Sequence, residues 1–110
     1  MNNKSLSGKK IVHQVYFWLK PGLSAAQVTA FENGVMSLLN IDTVVYGDVG
    51  KPAPTPDRDV IQKDYHYALL TVFQDVNGHD LYQEDPIHQK FLDDCKQFFG
   101  KVVVYDAESL

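Results

Sequence analysis

The most regular alternation of side chains runs from residue 11 to residue 19, where β-branched and aromatic residues dominate. Lysines precede this run and Pro21 and Gly22 follow it, so it predicts a β-strand. One face of the strand carries Ile11, His13, Val15, Phe17 and Leu19, and the other carries Val12, Gln14, Tyr16, Trp18 and Lys20. Both faces are largely apolar, but the chain's own helices can cover only one. The face with Tyr16 and Trp18 therefore predicts a homodimer.

A helical pattern follows over residues 24–39. Ser24 and Gln27 have the spacing of a capping box, which marks the start of a helix. The apolar positions at helical spacing are Val28, Phe31, Val35, Leu38 and Leu39. Gly34 lies inside this helix and costs about 1 kcal/mol relative to alanine. One reason for a glycine there is close packing of the helix on the sheet.

Two further strands are predicted at residues 43–49 and 64–73. Gly47 lies in the first of them and predicts a bulge or bend. Between the two strands, residues 50–63 contain three prolines, which exclude a regular helix and favour an extended connection. A connection of this length often serves as a lid or an oligomer contact.

The last third of the chain predicts a broken helix and a closing strand. The helical pattern starts at residue 76, with Asn77 or Asp80 as candidate N-caps, and it is interrupted at Pro86. Asp85 then caps a second helix that begins at Pro86. Gly100 is the expected C-terminal stop of this helix, and residues 101–105 form the last strand. The order β-α-β-β-α-β predicts a ferredoxin-like α+β fold, a four-stranded antiparallel sheet with both helices on one face.

Length and composition exclude several classes of protein. The 110 residues suit one domain over residues 9–110, preceded by a disordered tail over residues 1–8. The net charge of −4 and the lack of a basic run argue against nucleic acid as a partner. No apolar run is long enough for a membrane helix. The absence of an apolar signal core and the single Cys95, expected to be a buried thiol, favour the cytoplasm.

Tyr82 and His88 are the candidates for proton chemistry. They lie six residues apart and would face different sides of an unbroken helix. A kink at Pro86 can bring them towards one cavity. His88 would then act as a general base and Tyr82 as a donor to a developing oxyanion. The alternatives are a core tyrosine with a satisfied hydroxyl and a histidine that simply begins a helix. His13 on the inward strand face is similarly typical of a satisfied core histidine.

Metal and cofactor sites are not predicted. His79 with Asp80, and His88 with Asp93 and Asp94, lack a standard ligand spacing. The sequence also lacks a glycine-rich phosphate loop and a flavin motif.

Four segments resemble one family: VHQVYFWLK, DYHYALLTVF, LYQEDPIHQKF and VVVYD. They are similar to the stress-responsive A/B-barrel (Dabb) domain family, over almost the whole of residues 11–106. The resemblance implies a ferredoxin-like protomer and a tight homodimer in which two sheets close into an α/β barrel. Most members have no established activity, and some bind a divalent ion at the dimer interface. One plant member is a cofactor-free polyketide cyclase with a histidine base and a tyrosine partner.

The resemblance assigns site residues by their motif positions. Tyr82, Pro86 and His88 match the cyclase's catalytic segment, so Tyr82 and His88 are the implied catalytic pair. His13, Phe31, Phe91 and Phe99 match pocket positions of the cyclase, and the full predicted pocket adds Val15, Phe17, Val35 and Tyr67. Asp85 stands where many members have a second histidine before the proline, and Tyr67 stands where the cyclase has a further pocket histidine. Glu32 and Val35 replace larger aromatics.

Three functions are compatible with this pattern. The first is a homodimer whose small, aromatic-lined pocket binds a small apolar or aromatic molecule. The second is a cofactor-free enzyme of the cyclase or monooxygenase kind that uses His88 and Tyr82. The third is a structural, stress-linked oligomer without a ligand.

Overall fold

The structure of this chain is a computed structural model that describes residue 6 and residues 8–110. The predicted tail over residues 1–8 therefore lies almost entirely outside the described residues. No helix in the described part of the chain is long and apolar enough to cross a bilayer.

One antiparallel sheet holds the strands of residues 8–110. Its members are β1 (Ile11–Leu19), β2 (Val44–Gly50), β3 (Tyr67–Phe73) and β4 (Phe99–Glu108). The spatial order is β2-β3-β1-β4, so β1 pairs with both β3 and β4 in the middle of the sheet. The predicted α+β, ferredoxin-like arrangement is confirmed. The register of β2 on β3 shifts between Val44 and Tyr46, just before Gly47, where a bulge was expected.

The helices start where capping side chains satisfy their first amide groups. They are α1 (Ala25–Ser37), α2 (Val76–Glu84) and α3 (Pro86–Cys95). The predicted capping box of α1 is present, with the Gln27 amide donating to Ser24 Oγ at 3.1 Å. Single 3₁₀ turns extend α1 through Leu38–Asn40 and α3 through Lys96–Phe98.

Several predicted boundaries are wrong, including those of the last strand, which is predicted at residues 101–105 and observed at Phe99–Glu108. Asp75, not Asn77 or Asp80, caps α2, because its extended backbone lets Oδ1 accept from the Gly78 amide at 2.8 Å. Gly100 does not end a helix but lies inside β4. A Cβ at Gly100 would come within 3.2 Å of the Trp18 carbonyl oxygen, so a glycine allows the two strands to approach at their bulge. β3 begins at Tyr67 rather than at residue 64.

The core lies between the helices and the inward face of the sheet. Ile11, His13, Val15 and Phe17 of β1 are buried there. Gly34 does bring α1 close to a neighbour, but that neighbour is α3 and not the sheet. A Cβ at Gly34 would stand 2.7 Å from Cys95 Sγ and 3.1 Å from Phe91 Cδ1.

The other face of the sheet is open in the protomer. Tyr16 and Trp18 are half-buried, and Tyr105 beside them is 64% exposed. Tyr65, in the connection before β3, contacts both Tyr16 and Trp18 edge-on. The protomer measures 50 × 39 × 18 Å, and its radius of gyration is 15.1 Å. A compact domain of this length would have about 13 Å, so the protomer is flatter and more extended than an ordinary monomeric domain.

Candidate functional site

The break between α2 and α3 places Tyr82 and His88 side by side. Asp85 has extended backbone angles, and its Oδ1 accepts from the Ile87 amide at 2.8 Å, so α3 begins at Pro86 in a new direction. The rings of Tyr82 and His88 then meet edge-on, with centroids 5.0 Å apart. The predicted convergence of the two side chains across the kink is present in the structure.

Tyr82 is a buried tyrosine whose hydroxyl has a protein partner. Its side chain is 1% exposed. Burial raises the pKa of the Tyr82 hydroxyl, and a hydrogen bond with Thr71 opposes that shift only in part. Tyr82 therefore stays protonated at neutral pH. It can donate a hydrogen bond, but it cannot act as a base.

His88 has an unusual arrangement of its ring nitrogens. The residue is half-buried, yet its Nδ1 is fully buried and has no hydrogen-bond partner among the described protein groups. Burial lowers the pKa of His88, the nearby His13 lowers it further, and the Asp85 carboxylate opposes both. His88 is consequently neutral near pH 7 and carries a lone pair that can accept a proton or a hydrogen bond.

His13 joins the same group of rings from β1. Its ring lies 5.9 Å from that of Tyr82, and its Nδ1 lies 2.5 Å from Asp106 Oδ1. His13 and Asp106 meet because they are direct partners in the β1–β4 register. Burial lowers the pKa of His13, although the hydrogen bond to Asp106 acts in the opposite direction. The structure thus brings together all three predicted polar residues, His13, Tyr82 and His88.

The sequence did not indicate that Asp106 belongs to this group. It also did not indicate that His79 packs against His13. The rings of His13 and His79 are 5.0 Å apart. Among the described residues, His13, His79 and Asp106 each offer one ligand atom, and these atoms lie within 4.8 Å of one another. Metal-ligand spacing along the chain could not reveal them, because only the strand register and the position of α2 unite them.

Most of the predicted aromatic pocket residues pack against each other as core. The ring of Phe17 lies 5.3 Å from those of Phe31 and Phe99, and Phe91 lies 5.7 Å from Phe99. Phe17, Phe31 and Phe91 are nearly inaccessible, as is Val15. Their rings fill the space that the sequence predicted as a hollow. The reason is the close approach of α1 to α3 at Gly34, which leaves little volume between those helices.

Two of the predicted pocket residues, Val35 and Tyr67, do border open space. A cavity of about 250 Å³ lies between α1 and the β2–β3 edge of the sheet. Its lining residues are Glu32, Val35, Met36, Val49, Gly50, Lys51 and Tyr67. We call it the Tyr67 cavity. A neighbouring cavity of about 460 Å³ shares Tyr67 and Lys51 and extends towards Leu23 and His66.

Polar groups are concentrated at one wall of the Tyr67 cavity. The Tyr67 hydroxyl donates to Glu32 Oε2 at 2.5 Å. Lys51 Nζ lies 3.9 Å from the same oxygen and 5.7 Å from the centre of the Tyr67 ring. Burial, together with the Glu32 carboxylate, raises the pKa of Tyr67 to about 12. The lining side chains Val35, Met36 and Val49 are apolar, so the cavity is apolar with one polar end.

The fold and these sites define a ferredoxin-like α+β protein with a buried tyrosine–histidine cluster and a separate edge cavity. The sequence profile of the Stress responsive A/B Barrel Domain family, Dabb, matches residues 11–109, and the chain therefore belongs to that family. No curated protein sequence matches it.

Several solved structures share the fold. A Dabb family protein with a ferredoxin-like fold from Mesorhizobium loti is 23% identical, with a TM-score of 0.73, over 94% of this chain and 99% of that one. A dimeric ferredoxin-like protein of unknown function from Thermobifida fusca is 18% identical, with a TM-score of 0.74, over 99% of each chain. Hydroxynitrile lyase from Passiflora edulis is 20% identical, with a TM-score of 0.74, over 92% of this chain and 94% of the lyase. These matches establish the fold, not a particular likeness to the polyketide cyclase.

Proposed function

We propose that this Dabb protein is a homodimer that binds a small, largely apolar molecule in the Tyr67 cavity. The observation that carries this proposal is the Tyr67–Glu32 hydrogen bond of 2.5 Å at one end of an otherwise apolar cavity. Binding sites typically combine apolar walls with a few placed polar groups, which orient the ligand. Lys51 beside that bond offsets the negative charge of Glu32, so this end of the cavity suits a ligand with a polar head and an aromatic or aliphatic body.

The ligand-binding proposal can be tested by filling the cavity. Val49 is half-buried and lines the cavity, whereas Val45 lies on the same strand, is exposed and does not line it. We expect Val49→Phe to weaken binding of the anionic aromatic probe 8-anilinonaphthalene-1-sulfonate several-fold in a fluorescence titration. Tyr67→Phe tests the polar end. Val45→Phe is the matched control and should bind like the unaltered protein.

Equal affinities of the Val49→Phe and Val45→Phe variants would reject the Tyr67 cavity as the binding site. Circular dichroism spectra of each variant check that the fold is retained. Native mass spectrometry of the untagged protein, purified without organic additives, then tests for a molecule carried through purification, and its mass identifies the chemical class.

The homodimer is proposed from the open face of the sheet. Tyr16, Trp18 and Tyr105 lie together there, and the Tyr16 and Tyr105 rings are 6.1 Å apart. Apolar surface of this kind is commonly covered by a partner. The structural relatives from Thermobifida fusca and Bacteroides fragilis are described as dimeric proteins with a ferredoxin-like fold. A second sheet packed on this face would close the pair into an α/β barrel.

Light scattering measures the assembly directly. We expect twice the protomer mass of 12.4 kDa at micromolar concentration. Tyr105→Glu should shift the mass towards one protomer, because it would bury an unpaired carboxylate in the interface. Asp93→Glu, on the exposed surface of α3, should leave the mass unchanged. A stable single protomer of the unaltered chain would refute the dimer.

A cofactor-free acid–base enzyme is the second candidate. It is favoured by the Tyr82–His88 contact and by the unpartnered Nδ1 of His88. His88 would remove a proton from the substrate, and the Tyr82 hydroxyl would stabilise the developing negative charge. The hydroxynitrile lyase from Passiflora edulis is an enzyme with this fold. Neither Tyr82 nor His88 lines the Tyr67 cavity or its neighbour, so a substrate would have to enter where α2 meets α3.

An assay of an aromatic hydroxynitrile distinguishes the two candidates. Release of the carbonyl product, abolished in His88→Ala and strongly reduced in Tyr82→Phe, would support an enzyme. Activity that survives His88→Ala would remove His88 as the base. Probe binding at the Tyr67 cavity without turnover would support the binding protein.

A further inference from the structure

A group of three potential metal ligands lies at the end of the sheet where β1 begins and β4 ends. His13 projects from β1, Asp106 from β4 and His79 from the first turns of α2. Each offers one ligand atom, and all three atoms lie within 4.8 Å of one another. His13 is buried, His79 is half-buried and Asp106 is exposed, so the group extends from the core to the surface.

We propose that His13, His79 and Asp106 form a site for a divalent transition-metal ion of the zinc type. Two imidazoles and one carboxylate are a donor set that suits Zn²⁺, Co²⁺ or Ni²⁺ better than Mg²⁺ or Ca²⁺, which prefer oxygen ligands only. Metal–ligand bonds of about 2.0–2.2 Å place ligand atoms roughly 3.4 Å apart in a tetrahedral site. The ligand atoms therefore need to shift by about 1 Å, with the 2.5 Å contact between His13 Nδ1 and Asp106 Oδ1 opening as the wider separations close.

The surroundings provide access for an ion and further oxygen ligands. A cavity of about 360 Å³ opens beside the group. Its lining residues are Ile11, Val76, His79, Asp80, Asp106, Ala107 and Glu108. The carboxylates of Asp80 and Glu108 make the mouth of the cavity negative, which attracts a cation. The three ligands occupy one side of the ion and leave its cavity side open to water or a small anion.

The fold holds two of the three ligands before any ion arrives. His13 and Asp106 are cross-strand partners in the β1–β4 ladder, and their side chains already touch through the 2.5 Å contact between Nδ1 and Oδ1. His79 is held by edge-on contacts with the rings of His13 and Phe73, at 5.0 and 5.7 Å. Such preorganisation limits the ordering that binding requires. Neither the Tyr67 cavity nor its ligand contributes to this group. The metal site can therefore be tested independently of the proposed function.

The test uses the untagged full-length chain and Zn²⁺ in competition with a chromophoric chelator. We expect one Zn²⁺ per protomer, and visible absorption from Co²⁺ bound in its place. Asp106→Asn keeps the shape and an acceptor for His13, and His79→Phe keeps the ring packing but removes the nitrogens. Each should weaken Zn²⁺ binding about tenfold or more. Glu84→Gln, an exposed carboxylate on α2, is the matched control and should bind normally.

Zn²⁺ should also raise the thermal midpoint of the unaltered protein and of Glu84→Gln, but not that of Asp106→Asn. Unaltered Zn²⁺ affinity in both ligand variants would overturn the proposal, as would the absence of Zn²⁺ binding at micromolar concentration in the unaltered chain. If His79→Phe fails to fold, Asp106→Asn alone decides the outcome.

Discussion

Gly34 offers the sharpest test of how this core is packed. A methyl group at Gly34 would stand 2.7 Å from Cys95 Sγ and 3.1 Å from Phe91 Cδ1, both closer than carbon and sulfur tolerate. The Cys95 side chain is short and almost fully buried, so it cannot swing out to solvent. Overpacking of this kind costs about 1–3 kcal/mol. The higher helix propensity of alanine stabilises the helix by about 1 kcal/mol relative to glycine. Gly34→Ala should therefore destabilise the protein by about 0–2 kcal/mol.

Removing the Cys95 sulfur atom tests whether its contact with the new methyl group causes the loss of stability in Gly34→Ala. Cys95→Ala deletes one buried heavy atom, and we expect it alone to cost about 0.5–1.5 kcal/mol, as for other single-atom deletions in cores. In that background the alanine methyl group has room on the Cys95 side, so Gly34→Ala should become neutral or stabilising. The predicted coupling between the two substitutions is about 1–2 kcal/mol, within the range for residues in contact.

Urea unfolding at one fixed protein concentration measures the four members of this double-mutant cycle under reducing conditions. Each kcal/mol should also move the thermal midpoint by about 4–8 °C. Asn33→Ala, at the adjacent exposed position of α1, is the control and should be neutral or slightly stabilising. A coupling smaller than about 0.5 kcal/mol would refute the close α1–α3 contact.

Three further outcomes follow from single features of the structure. Asp85→Ala should cost about 1 kcal/mol in urea unfolding, because it removes the cap on the Ile87 amide, whereas the exposed Asp93→Ala should cost little. Because burial lowers the pKa of His88, the folded state binds fewer protons than the unfolded state. Stability should therefore be full above about pH 6.5 and fall as the pH drops from there towards the lowered value, and His88→Phe should flatten that fall. Gly22→Ala should cost about 1–2 kcal/mol despite free space around it, because Gly22 has φ +80°, and an unchanged urea midpoint would contradict this.

The parts of the fold that the sequence predicted are those governed by neighbouring residues. The bounds of β1 follow from its alternation and its flanking lysines and proline. The capping box of α1 and the break at Pro86 follow from side chains within three residues of the backbone groups they satisfy. The Asp75 cap of α2 is also local, so that error was a choice among neighbouring candidates, whereas the boundary at Gly100 depends on a distant partner. The sequence predicts a helix end at Gly100, because it does not show that a Cβ at this position would lie 3.2 Å from the Trp18 carbonyl oxygen.

The same distinction between local and distant contacts applies to the candidate sites. Tyr82 and His88 are close in the chain, and a local kink was enough to predict their contact. His13 and Asp106 are separated by 93 positions and meet only through the strand register. Side-chain spacing carries no information on that register until the sheet order is known, so the histidine–aspartate contact and its neighbour His79 could not be found in advance.

The pocket residues show why an aromatic lining cannot be distinguished from an aromatic core by sequence. Both place Phe31 and Phe91 on inward faces, and the difference lies in the distance between the helices. Here Gly34 lets α1 approach α3, and the rings close the space between them. At the other side of α1, the smaller Val35 and the charged Glu32 stand where the resemblance implied large aromatics, and the Tyr67 cavity lies beside both. Open space should therefore lie beside the small side chains rather than beside the aromatic ones. A larger residue in place of Val49 should then fill the Tyr67 cavity.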